Sequence, residues 1–525
     1  MSKAKFIIIS GICLACCVVL ATFYAMAYPS HLLWQEQNQI FLNTQSWIAT
    51  YFTKPAWLGC LSGDWLTRFY INPITGAVIL TLAIAYCSAC FAIGIRRLLP
   101  GGASFLLAAF FTILLVAFSM SASTTLAFYT CMAGGLTLGL LNIRIPSGKN
   151  RYLDISPVLT VAAYWAFGFA ALITAAFIIA FTLKRHFCNR GNRYWRVSIL
   201  CTVFLAMATP AFFCKSYALP YTKAILYPGI ARPSLPNFES EERLAISDSF
   251  YRKDYEKTKR LALKAGSPNE ISAFYYYLAS ALQDSLPDNL LKYDIKNLGT
   301  LTTIGETSPL PVINMMNDLY FELGDMTYAE RAAMMRNVFS PRNRNVRMIK
   351  RLAEINLVSG DTLAALKYLR ILDRTHAYAD WSKLHTPGSM LPEVEKDILR
   401  RRDLSNGKDN IRLGDNCRNI LLELLESNPR NMLALDYLLC TDLLLKDMDT
   451  FKMDYDKYCM ERGTPRYKKL YQEALMIYLA GTGASDEEWD RYIVPDQLVE
   501  SFHNYSNQRG NPAFRDSYWY YFDKQ

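Results

Sequence analysis

The chain of 525 residues is 52% hydrophobic and carries a formal charge of +10, divided unevenly. Residues 1–230 hold 16 Lys and Arg against 3 Asp and Glu; the remainder holds 40 against 43. An acid-poor apolar part with clustered bases, followed by a mixed-charge part, is a membrane-topology pattern and gives no argument for nucleic acid.

Six apolar segments come first: Phe6–Tyr28, Pro73–Ile95, Ala103–Ser119, Thr124–Ile143, Pro157–Leu183 and Val197–Cys214. Each is about long enough to span a ~30 Å hydrocarbon core. The first follows Lys3 and Lys5 but is too long for a signal peptide, so it is expected to stay as an anchor. Ten of the 13 cysteines lie before residue 215. The spacings Cys13-x-x-Cys16 and Cys87-x-x-Cys90 are read as small apolar residues in lipid-embedded helices, and no metal site is expected. Gly135-x-x-x-Gly139 predicts a close helix–helix contact.

The loop Pro29–Ile71 carries Glu36 and Asp64, the only acids before Asp154. Its amphipathic pieces are "HLLWQEQNQIFL" and "SWIATYF". Multi-pass glycosyltransferases that use lipid-phosphate sugars resemble this arrangement, with an acidic first external loop on juxtamembrane helices. The resemblance implies that Glu36 or Asp64 acts as base toward an acceptor hydroxyl. The plainer expectation is an interfacial loop with solvated acids and with Trp34, Trp47, Trp57 and Trp65 at headgroup level.

Four base clusters set the orientation: Lys3/Lys5, Arg96/Arg97, Arg144/Lys149/Arg151 and Lys184/Arg185/Arg190/Arg193/Arg196. Six simple crossings cannot put all four on one side. They share a side if residues 157–183 enter and leave by the same face, with a break near Gly168. This predicts a cytoplasmic N-terminus and a periplasmic C-terminal part. The alternative is one tilted helix over 157–183.

Residues 215–240 are punctuated by Pro220, Pro228, Pro233 and Pro236 and read as a connector. Beyond it, "RLAEINLVSGDTLAALKYLRILDRT" and "NDLYFELGDMTYAERAAMMRNVFSP" share a pattern. Gly324-Asp325 matches Gly360-Asp361, and Ala329 matches Ala365, both at an offset of 36 residues. Glycine makes the turn and the small residue lets two helices approach. Both stretches resemble a degenerate tetratricopeptide repeat, with Pro341 where the repeat often ends. Weaker units are "LAISDSFYRKDYEKTKRLAL", "NMLALDYLLCTDLLLKDMDTFKMDYDKY" and "RYKKLYQEALMIYLAGTG". The polar stretch Thr386–Asn416 interrupts the array.

The predicted fold is all-α: a transmembrane helix bundle over 1–214, a connector over 215–240, and a soluble tetratricopeptide-like domain over 241–525. The stretches "QEQNQIFL", "KRLAEINLVSGD…ALKYL", "NMLALDYLLCTDLLLKD", "YQEAL" and "FRDSYWYY" resemble an uncharacterised family of bacterial multi-pass membrane proteins with a repeat-like C-terminal half. The resemblance implies an envelope location, here the inner membrane, and brings no activity.

Soluble-enzyme signatures such as G-x-G-x-x-G, a Walker lysine, H-E-x-x-H and G-x-S-x-G are absent from the sequence. His376 and Asp380 are four apart and read as a surface polar pair. The Tyr-rich runs "FYYYLASAL" and "SYWYYFDKQ" read as core rather than a peptide groove. No cofactor is expected. The expected partners are the bilayer and a protein or peptide bound by the repeats. The preferred expectation is an envelope scaffold rather than an enzyme, and the alternative is the glycosyltransferase. The position of Glu36 discriminates: a base needs a cavity with basic partners, whereas a scaffold can leave it in water.

Overall fold

The computed structural model describes residues 3–99, 101–142, 156–188, 194–266, 269–302, 309–340, 343–405, 417–462 and 466–524, with backbone only for 3–10. No strand occurs among them. The chain forms two compact units. The first comprises Met1–Glu241, Arg344–Val346 and Ile371–Trp381. The second comprises Glu242–Asn343, Arg347–Arg370 and Ser382–Gln525. Arg144, Lys149, Arg151, Arg190, Arg193 and Pro341, and the side chains of Lys3 and Lys5, lie outside the described residues.

The first unit contains α1 (Lys3–Thr22), α2 (Ser30–Gln37), α3 (Gln45–Ala49), α4 (Trp57–Thr67), α5 (Pro73–Leu98), α6 (Gly102–Ser119), α7 (Leu126–Leu141), α8 (Val158–Phe167), α9 (Ala170–Phe187), α10 (Trp195–Ser216) and α11 (Tyr221–Ile225). Four of these, α5, α6, α9 and α10, are long and apolar enough to cross a membrane. A fifth candidate is Gly11–Ala27 taken with Ser30–Gln37, bent by 73°. These helices mark a membrane protein.

Helix directions follow from side-chain contacts. At one end of the bundle Lys184 Nζ donates to the carbonyls of Arg97 and Leu98, and Arg185 donates to the Asn142 carbonyl at 3.0 Å. At the other end Tyr24 bonds Ser119, and the Tyr28 hydroxyl donates to the Met120 carbonyl at 3.2 Å. A Cβ on Gly135 would meet Ala170, and one on Gly139 would meet Phe177. Helices α7 and α9 therefore run parallel, and α8 is the return limb between them. The break falls at Gly168, whose φ is +59° and where a Cβ would strike the Tyr227 carbonyl. Only glycine fits this turn, and the Phe169 amide bonds that same carbonyl at 2.9 Å.

The second unit is built of helix pairs with one recurrent turn. A left-handed residue is followed by an aspartate that caps the next helix. The pairs are Lys253-Asp254, Gly324-Asp325, Gly360-Asp361 and Lys446-Asp447, with φ of 62°, 94°, 86° and 58°. The four carboxylates accept from the amides of Lys257, Tyr328, Ala364 and Thr450 at 2.9–3.1 Å. Such a cap stabilises a helix start by about 1 kcal/mol. That offsets the cost of about 1–2 kcal/mol for a lysine in left-handed backbone.

Ala329 and Ala365 are fully buried. The Asn317 amide donates to the Ala329 carbonyl at 2.8 Å, tying Leu310–Leu323 to Met326–Val338. Ala365→Phe is expected to cost about 1–3 kcal/mol by overpacking. Unchanged thermal melting of the purified variant would show that the site has spare room. The Tyr-rich runs lie in the core: Phe274, Tyr275, Tyr277 and Tyr518 are wholly buried, and the Trp519 indole donates to the Glu473 carbonyl at 3.0 Å.

The stretch after residue 386 carries a helix, Pro392–Leu404, held by arginines rather than by an apolar stripe. Arg401 pairs with Glu322 at 2.7 Å, and Arg402 donates to the carbonyls of Leu357 and Val358.

A third arginine, Arg418, is shared by two buried carboxylates, Asp442 at 2.6 Å and Asp454. Burial pushes the Asp442 carboxyl up to about 8; Arg418 opposes the shift and Asp454 adds to it. A carboxyl raised on folding stabilises fully below its unfolded pKa, near 3.9, and that contribution is lost as pH rises through its folded pKa. Asp442→Asn cannot ionise. Its stability relative to wild type is expected to improve by about 1 kcal/mol per pH unit across that window. Urea or thermal unfolding at pH 5, 6, 7 and 8 reads the difference, and parallel pH profiles would refute the assignment.

Candidate functional site

The site lies in the first unit, at the end of the bundle away from Lys184 and Arg185. Helix α2 is fixed there at its first turn. The Glu241 carboxylate accepts from the Ser30 amide, and from the His31 amide at 3.1 Å. An anion at a helix N-terminus satisfies donors that have no partner within the helix. Burial raises the Glu241 carboxyl above its ordinary range, and the two amides act against that shift.

Helix α4 packs into the bundle rather than lying free as a loop. A Cβ on Gly59 would strike Cys131, and one on Gly63 would strike the backbone of Ala127, so both glycines let α4 approach α7 closely. The close packing buries Asp64, on the same helix. The loop's two acids are therefore not solvated: Glu36 is 4% exposed and Asp64 2%.

The two acids have different surroundings. Asp64 accepts from the Tyr51 hydroxyl at 2.7 Å and lies 3.8 Å from the Arg344 guanidinium. Arg344 also stacks over Trp47 at 4.2 Å and donates to the Tyr51 hydroxyl at 3.3 Å. This is an ion pair closed by aromatic rings. Glu36 instead accepts from the Tyr378 hydroxyl at 2.9 and 3.1 Å and lines a recess of about 20 Å³. The recess is also lined by Gln39, Arg68, Thr375 and His376. Arg68 stacks on Trp65 and Phe69, with centroids at 4.5 and 4.8 Å.

Four of these residues, Arg344, Thr375, His376 and Tyr378, come from the segments 344–346 and 371–381 that belong to the first unit. Backbone and side-chain bonds hold them: the Asn43 amide to the Arg374 carbonyl at 3.0 Å, and Asn345 to Asn38 at 3.2 Å. Sequence reasoning named Glu36 and Asp64 but found neither Arg68 nor Tyr378 nor Arg344. The sequence spacing pairs His376 only with Asp380, as surface polar residues. It is exposed, packs edge-on to Phe69 and lines the recess.

The pattern of a long amphipathic loop, a helical bundle and a helix-pair array extends over nearly the whole chain, and one family model matches residues 4–525. The chain belongs to the family of unknown function DUF6057. No curated protein and no solved structure matches it. Of the residues expected to serve repeat packing, Ala329 and Ala365 are buried and a Cβ on Gly324 would strike Leu404, whereas Gly360 is exposed and makes a turn with φ of 86° without packing against another helix. No group of three or more His, Cys, Asp or Glu that could hold a metal ion occurs among the described residues.

Proposed function

We propose that the chain is a membrane enzyme that transfers a glycosyl group from a lipid-linked phosphosugar to a hydroxyl acceptor, with Glu36 as general base. One observation carries this reading: Glu36 is buried in a recess beside Arg68 and His376 instead of standing in water. In the proposed step Glu36 takes the acceptor hydroxyl proton as that oxygen bonds the anomeric carbon. The bond from that carbon to the phosphate oxygen breaks, and the phosphate leaves with the electron pair. Asp64 is a positioning group, occupied by Tyr51 and Arg344.

The topology proposed with it has the ends of α5, α7 and α9 facing the cytoplasm. The recess and residues 241–525 face the periplasm of a bacterial inner membrane. The shared end of Arg97, Asn142, Lys184 and Arg185 supports it, because basic residues collect on the cytoplasmic side. The test compares envelope glycans by mass spectrometry in a deletion strain and in strains complemented with wild type or Glu36→Gln. Restoration of the missing species by wild type alone is expected.

A second reading is an envelope scaffold that binds a protein or peptide through a tetratricopeptide-like array. The four aspartate-capped turns favour it, since stacked helix pairs present extended binding surfaces. On that reading, Glu36→Gln would complement fully and loss of the second unit would be the disabling change.

A further inference from the structure

We infer that Arg68 forms an anion site at the mouth of the Glu36 recess and binds the phosphate of a phosphorylated substrate, with His376 flanking it. The inference rests on the enzyme reading only for the phosphate's role as leaving group.

The first support is a guanidinium with no carboxylate in ion-pair contact. Arg347, Arg401, Arg418 and Arg466 each hold a carboxylate. Arg68 holds none among the described residues. Among the described residues the guanidinium's one hydrogen-bond partner is Asn43 Oδ1, at a long 3.4 Å, and its buried Nε has none. Burial also lowers the Arg68 pKa from its ordinary value, which an anion at the guanidinium would reverse.

The second support is preorganisation. The rings of Trp65 and Phe69 hold the guanidinium plane, so little side-chain freedom remains to be lost on binding. A fixed guanidinium fork matches two phosphate oxygens.

The third is shape. The recess, about 20 Å³, admits a group the size of a water or an acceptor hydroxyl. The bulk of a phosphate then stays at the mouth, beside Arg68 and the exposed His376. That arrangement sets an acceptor oxygen beside the Glu36 carboxylate and a leaving phosphate beside a cation.

The test uses the full chain in detergent and calorimetric titration with decyl phosphate, inorganic phosphate and decanol. Decyl phosphate is expected to bind, and Arg68→Gln to weaken it about ten- to hundredfold. Decanol binding should not change. Tighter binding of decyl phosphate than of inorganic phosphate identifies a lipid-borne phosphate. Equal binding of the two, still lost in Arg68→Gln, keeps the anion site and assigns it to a soluble phosphate. Should Arg68→Gln melt early, Arg68→Lys decides, because it keeps the charge and loses the fork. A drop of a few-fold is then expected for decyl phosphate alone. Wild-type affinity in a stably folded Arg68→Gln or Arg68→Lys protein overturns the inference. Glu36→Gln should bind decyl phosphate at least as well as wild type. A failed base assignment would therefore leave this result intact, and the two failures can be told apart.

Discussion

Glu36→Gln is expected to remove roughly 10²–10⁴-fold of transfer activity while leaving expression and membrane insertion intact, because a positioned general base contributes about that much. The exchange is nearly isosteric. The Gln side chain can still accept from the Tyr378 hydroxyl, which is bonded to both Glu36 oxygens in the wild type. What it cannot do is take a proton. Asp64→Asn gives the contrasting result. Asp64 faces Arg344 and Tyr51, so its loss is expected to lower stability and to reduce turnover only through position. Tyr378→Phe removes one donor to Glu36 and should fall between the two. The readout is the complemented glycan species, quantified against protein abundance. Full restoration by Glu36→Gln would end the enzyme reading and leave the scaffold.

Much of the fold was legible, because its signals are local. Long apolar runs marked α5, α6, α9 and α10, with bases at an end of α5, α9 and α10, and a lone glycine in "YWAFGF" marked the break at Gly168. Gly324-Asp325 and Gly360-Asp361 marked two turns outright. Their counterparts at Lys253 and Lys446 were harder to see, since lysine gives no cue of left-handed backbone; the following aspartate was the better signal. The site was half legible. Glu36 and Asp64 stood out as rare acids in an acid-poor stretch. Tyr378 and Arg344 lie about 300 residues further on, in a part whose periodicity reports only its own helices. No spacing rule links them to the loop. Burial of the loop was missed for a related reason. Gly59 and Gly63 mark close approach to α7, but "WLGCLSGDWL" between tryptophans reads equally well as an interfacial helix.

Buried charge in the second unit was also hidden in an apolar stretch, "VINMMNDLYFEL", and it carries the largest expected effect on stability. Asp318 is fully buried and pairs with Arg347 at 2.7 Å and Arg351 at 3.1 Å. It also accepts from the Tyr275 hydroxyl at 3.0 Å. Arg347 in turn donates to Ser247 at 3.2 Å and stacks over Tyr251, while Arg351 stacks over Phe321 at 3.9 Å. One carboxylate thus ties the helices Phe238–Tyr251, Glu270–Leu282, Leu310–Leu323 and Val346–Ser359. Among the described residues, Asp318→Ala leaves the buried Arg347 with no carboxylate in ion-pair contact and Arg351 with Glu354 alone, at 3.2 Å. Breaking a buried pair in this way costs about 3–5 kcal/mol, a change of roughly 10²–10³ or more in the opening equilibrium. Hydrogen exchange with mass spectrometry on the full chain in detergent should show faster exchange in those four helices, with α5–α10 unaffected. Asp318→Asn keeps the shape and part of the hydrogen bonding, and should lose less. Equal loss in the two variants would mean that charge, rather than the bonds it directs, holds the helices together. Unchanged exchange in Asp318→Ala would mean that the apolar core alone holds them.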